Sequence, residues 1–200
     1  MSVCSKKVLL FGEASELVGC KEIHLPFPKS CTQKALKNIV IDQLAELEPL
    51  KDCITLAVNW CYVDTEDSIN SISVEEIEEI AVLPPISGGV TRKDDDDTNN
   101  KHGGVKALNY ECYVKMAYAE LEKIIQNSYK IWPSLIHVVV FHRHGYLLFA
   151  FSLVPVGEIS VAIAVSSPHR KDSLEAVKFL IDSVKSHVPI WKKVTLNSTH

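Results

Sequence analysis

The sequence predicts an α+β protein: a small N-terminal roll followed by a second α/β lobe. Three observations lead there. In residues 1–89, short apolar runs of strand length surround one long amphipathic stretch. A polar segment, Val90 to Gly104, then interrupts the hydrophobic pattern with an aspartate run, Thr98-Asn99-Asn100 and Gly103-Gly104. Beyond it, two strongly apolar runs stand between two further amphipathic stretches. The expected organisation is a first domain over 1–89, a linker over 90–104 and a second domain over 105–200.

The elements follow in order. Val8-Leu9-Leu10-Phe11 is strand-like and closed by Gly12, and Glu22 to Phe27 alternates polar and apolar residues as a half-buried strand does. Ser30 followed by Gln33 predicts a capping box, with a helix running to about Glu48 before Pro49 stops it. Leu36, Ile39, Val40, Leu44 and Leu47 recur along it at helical spacing and form one apolar face. Ile54 to Val58 and Ile80 to Leu83 are two more strands. In the second domain a helix is expected from Lys115 to Asn127, with Ala117, Leu121, Ile124 and Ile125 inward. His137–Phe141 and Ile159–Val165 are apolar at nearly every position and predict strands buried on both faces. A last helix is expected over about Asp172 to Ser186, burying Leu174, Val177, Ile181 and Val184, and Val188-Pro189 ends it.

Composition narrows the function classes. The 200 residues carry a net charge of −4 and 46% apolar residues, ordinary for a globular protein. No uncharged apolar stretch has the length of a membrane span, and Val8 to Phe11 is too short for a signal-peptide core. A cytosolic chain is therefore expected, without a membrane or nucleic-acid partner. Residues 1–89 hold 7 Lys/Arg against 14 Asp/Glu, a net of −7; residues 90–200 hold 14 against 11, a net of +3. An acidic lobe beside a basic one points to complementary partners or to an anionic ligand on the basic side, and ordinary variation in solvated charge gives the same counts. The six cysteines, 4, 20, 31, 53, 61 and 112, form no CxxC pair, so reduced structural thiols are expected and no metal site.

Pro84-Pro85-Ile86-Ser87-Gly88-Gly89 is the most informative run of the first domain. Two prolines stiffen the approach, and two glycines leave a slender tail that can thread a channel any side chain would block. A bare Gly-Gly is ordinarily a linker; here it directly follows a predicted buried strand in an acidic roll. With Ala81-Val82-Leu83 before it, this run makes residues 7 to 89 resemble the small subunit of molybdopterin synthase, a ubiquitin-like β-grasp sulfur carrier. The resemblance implies that Gly89 is adenylated by an E1-like activating enzyme and converted to a thiocarboxylate, a good sulfur nucleophile.

Four ordered runs carry a second resemblance: Leu108 to Tyr113, Val140 to Gly145, Val165 to Arg170 and Val188 to Lys193. His169-Arg170 stands between a predicted strand and a helix, a position suited to anions, and Arg170 can grip a phosphate through two parallel hydrogen bonds. Lys185 lies in the last helical turn close in sequence to Lys192 and Lys193, a positive patch that an anion would neutralise. From about Val90 to Lys193 the chain resembles the large catalytic subunit of the same enzyme, an α/β hammerhead. That resemblance implies Lys185 and Lys192 as catalytic lysines beside the inserted tail. It implies His169, Arg170 and Lys193 as contacts for a phosphorylated pterin, reached across a large-subunit dimer. It also matches Arg92, in Gly89-Val90-Thr91-Arg92, to an active-site Gly-x-x-Arg element, and leaves His142-Arg143 a structural reading at a strand end. The implied reaction transfers sulfur to cyclic pyranopterin monophosphate, building the dithiolene of molybdopterin without a metal or cofactor.

The chain departs from the family in places. Gly89 is followed by Val90, so its carboxyl lies in a peptide bond and cannot be adenylated in the intact chain. Three readings follow: cleavage after Gly89, a non-catalytic carrier or scaffold binding the activating enzyme or a separate large subunit, or a mis-joined gene product. The carrier takes the place of the strand–helix–strand region that precedes Gly-x-x-Arg in the family, so the large-subunit part is expected to be incomplete. Tyr146 to Ser152 reads as an insertion, and Val194 replaces the usual acidic residue.

Overall fold

The computed structural model describes residues 3–64, 67, 69–86, 105–143, 152–155 and 158–196. Two compact units divide the chain, Met1–Pro85 and Ile86–His200. The expected linker and residues 146–151 of the expected insertion lie outside the described residues.

The first unit runs β1 (Val3–Leu10), α1 (Gly12–Val18), β2 (Glu22–Pro28), β3 (Ser30–Thr32), α2 (Gln33–Gln43), a 3₁₀ turn (Ala45–Leu50), β4 (Thr55–Val58), β5 (Cys61–Tyr62), β6 (Ser71–Ser73) and β7 (Glu79–Leu83). Its main sheet has the order β2-β1-β7-β4-β5, with β1 and β7 parallel in the middle and the other pairs antiparallel. This is the β-grasp arrangement. Helix α2 lays its apolar face on the sheet: Leu36 and Val40 are fully buried, and they pack in one cluster with Val8, Phe27, Leu56 and Ile80. Each such side chain stabilises the fold by roughly 1.5–3 kcal/mol. Helix α1 ends on Gly19, whose left-handed φ of 75° lets its N–H reach back to Ser15.

Two expectations about α2 need correction. The capping residue is Thr32, whose Oγ1 accepts the Ala35 N–H at 3.2 Å. Ser30 is instead engaged in the β3–β6 pairing, opposite Ser73. Moreover, α2 stops at Gln43, and the chain continues as a 3₁₀ turn with Pro49 inside it. Leu44 and Leu47 still reach the core from this tighter geometry.

Between β4 and β5 the chain turns on two residues, Asn59 and Trp60, with φ of 46° and 65°. Two positive φ values are what a tight hairpin turn requires; asparagine tolerates this easily and tryptophan does not. Side-chain bonds hold the turn in place. Trp60 Nε1 donates to the buried Glu79 carboxylate at 2.8 Å, which also pairs with Lys7 at 3.1 Å. Asn59 Oδ1 accepts the Glu78 N–H at 2.8 Å.

The second unit runs β8 (Val105–Cys112), α3 (Val114–Ile131), β9 (His137–His142), β10 (Ser152–Pro155), β11 (Val161–Ser166), α4 (Arg170–His187) and β12 (Ile190–Leu196). Strand β8 is central in an antiparallel sheet of order β10-β8-β12, and β9 pairs antiparallel with β11 in a separate two-stranded sheet. Tyr110, Ala117, Ile124, Leu180, Val184 and Ile190 form the core.

The apolar runs here do not give strands buried on both faces. Along β9 and β11, half-buried residues alternate with exposed ones, leaving Val139 58% and Phe141 54% exposed. A two-stranded sheet with helix α4 packed against β11 has cover on one face, so alternate side chains project outward whatever their polarity. Helix α4 likewise buries Ala176, Leu180 and Val184, while Leu174, expected inside, is 67% exposed.

Candidate active site

Register and helical spacing build a cleft of about 270 Å³ in the second unit. Its floor is the β8–β12 pair, in which Lys192 stands directly opposite Tyr110. Side chains alternate along a strand, so Ile190 and Lys192 face the cleft together with Leu108 and Tyr110. Ile181, Val184 and Lys185 contribute one wall, because positions three and four apart share a helix face. His142 at the end of β9, and Ser160 and Val161 at the start of β11, supply another. Ile86, the first residue of the second unit, also lines the cleft.

The same alternation separates the three lysines read as one patch. Lys185 and Lys192 line the cleft; Lys193, next along β12, belongs to the opposite face of the strand. Lys185, which is exposed, and Lys192, which is half-buried, bring two positive charges to a partly apolar cleft, an arrangement that attracts an anionic group. Tyr110 and His142 meet edge to face, with ring centroids 5.1 Å apart and an interplanar angle of 83°.

His169 and Arg170 lie at the other end of α4. His169 caps the helix with extended backbone, its carbonyl accepting the Asp172 N–H at 3.1 Å and the Ser167 hydroxyl at 2.6 Å. Asp172 in the first turn accepts the Ser134 hydroxyl at 2.5 Å. His169 and Arg170 are exposed. Arg170 opens α4 and Lys185 sits in its last turn, so at 1.5 Å per residue the two are about 22 Å apart along the axis. One small molecule cannot touch both within one chain. Gly89 and Arg92 lie outside the described residues.

Residues 86–187, just over half of the chain, match the family model described as MoaE protein. The chain belongs to the MoaE protein family. Among relatives, the molybdopterin synthase catalytic subunit of Taeniopygia guttata is 45% identical over 123 residues, covering 61% of this chain and 74% of that protein. The Homo sapiens protein of the same description is 42% identical over 134 residues, covering 64% and 66%. The match takes in 60% of the Bos taurus protein and 57% of the Rattus norvegicus protein, so the chain spans less than two thirds of several relatives. A solved molybdopterin synthase from Staphylococcus aureus aligns with 29% identity and a TM-score of 0.41, over 58% of this chain and 90% of that one.

Within this MoaE-family unit, the structure brings together Lys185 and Lys192 and sets His169-Arg170 apart. It adds Tyr110, His142 and Ser160, which the sequence reading did not place in a site. Of the His142-Arg143 pair read as structural, Arg143 forms an ion pair with Glu158. His142 closes β9 and also lines the cleft. Among the described residues no cluster of three or more His, Cys, Asp or Glu could hold a metal ion, and no helix is long and apolar enough to cross a membrane.

Proposed function

We propose that this chain carries both halves of a molybdopterin synthase and transfers sulfur from a Gly89 thiocarboxylate to cyclic pyranopterin monophosphate. Lys185 and Lys192 hold the thiocarboxylate and assist acyl and proton transfer. Arg92, His169 and Arg170 hold the anionic substrate, with His169 and Arg170 supplied by a second copy of the large-subunit part; Lys193, on the far face of β12, is left out of the site. An E1-like enzyme charges the carrier after cleavage behind Gly89. The observation that supports this reading is the cleft shared by Lys185 and Lys192, which Ile86, three residues before Gly89, also lines.

Mass spectrometry of the protein from its native cells tests the proposal. The expected species is a fragment ending at Gly89, partly carrying one sulfur in place of a carboxylate oxygen. Finding only the intact chain, inert toward the pterin, favours the second reading, a non-catalytic carrier or scaffold. The Gly89–Val90 peptide bond is the feature that favours that reading.

A further inference from the structure

Resting on this sulfur-transfer reading, we propose that His142 is the general base for the water that frees the carrier once its sulfur has been delivered. After the thiocarboxylate attacks the pterin, the glycine acyl group stays bound to the transferred sulfur. Water must add to the acyl carbon as its proton passes to His142 Nε2. The carbon–sulfur bond then breaks, sulfur leaves with the bonding pair as a thiolate on the pterin, and the carrier recovers a carboxyl group. The imidazolium returns its proton to solvent. Sulfur keeps its oxidation level throughout, so no oxidant or reductant enters.

Three observations converge on His142. Lys192 stands opposite Tyr110 in the β12–β8 register, the Tyr110 ring lies 5.1 Å from that of His142, and all three residues line the same cleft. His142 Nδ1 is 3.2 Å from the Arg143 carbonyl oxygen. A carbonyl only accepts, so Nδ1 carries the hydrogen and the neutral ring holds its lone pair at Nε2. The other polar groups on the cleft wall suit the task poorly: ammonium groups have no lone pair, and the hydroxyls of Tyr110 and Ser160 are weak bases. Among the described lining residues, His142 alone carries an imidazole, the side chain used most often for proton transfer in catalysis.

A hexapeptide thioester with the sequence of residues 84–89, incubated with the full chain, tests this step. The wild-type chain is expected to hydrolyse it, and His142→Ala to lose about a hundredfold in kcat with KM little changed and activity restored by added imidazole. Wild-type rates in His142→Ala would overturn the assignment, as would a loss that imidazole does not restore or an inability of the wild-type chain to hydrolyse the thioester. The underlying reading is judged separately, by molybdopterin formation from a thiocarboxylated carrier ending at Gly89. If the wild-type chain forms product and Lys185→Ala does not, sulfur transfer stands whatever His142 does; if the wild-type chain forms none, both fall.

Discussion

If Lys185 and Arg170 act on one substrate, mixing two inactive variants should recover activity in a fixed proportion. The two residues are separated by nearly the full length of α4, about 22 Å along its axis, so each complete site takes Lys185 from one copy and Arg170 from the other. Lys185→Ala and Arg170→Ala, each prepared alone, should lose about 10²–10³-fold in kcat, as expected when a preorganised charge is removed from a site. In a two-fold dimer carrying one copy of each variant, one site receives both substitutions and the other receives neither. Random pairing of equal amounts makes half the dimers mixed, so the unfractionated mixture should approach about a quarter of the wild-type rate and the isolated mixed dimers about half. Co-expression with two different tags, purification through both, and measurement of molybdopterin formation with supplied thiocarboxylated carrier reads this directly. Doubly tagged dimers that form normally and stay as inactive as either parent would refute the trans arrangement.

Three predictions concern the fold. Leu180→Ala should destabilise the second unit by about 2–5 kcal/mol in urea unfolding, because Leu180 is fully buried; Leu174→Ala, on the exposed face of the same helix, should stay within about 0.5 kcal/mol. Thr32→Ala should cost about 1 kcal/mol through loss of the α2 cap, and more than Ser30→Ala, in the same assay. Burial pushes the Cys112 thiol from 9.0 up to about 12. The unfolded chain then releases this proton first, so stability is fully present below pH 9.0 and falls as pH rises toward 12, by up to about 1.4 kcal/mol per pH unit. Cys112→Ala should flatten that decline in melting temperature, and an unchanged slope would remove Cys112 as its cause.

Much of the first unit was legible because its signals are local. The period of α2 marked Leu36 and Val40 as core, and the apolar run before Pro84 marked β7, which lies buried at the centre of the sheet. The cap was misread because Ser30 pairs with Ser73, a partner more than forty residues away that no nearby residue announces. Likewise, the runs in β9 and β11 look the same whether a sheet is covered on one face or two. Hydrophobicity reports what a strand could bury, and topology decides what it does bury. Lys185 and Lys192 entered the sequence reading through flanking runs of family resemblance and their closeness in sequence, and both line one cleft. His142 and Tyr110 reach the cleft through strand pairing, and a linear reading does not contain the register that joins them.

The place where β7 ends sets a limit on delivery. That strand is hydrogen-bonded on both sides, to β1 and β4, and all five of its residues are buried. Whatever follows Leu83 therefore starts from a fixed post. From Pro84 to Gly89 six residues reach at most about 20 Å at full stretch, so if Gly89 carries sulfur as proposed, the site that receives it must lie within that distance of the end of β7.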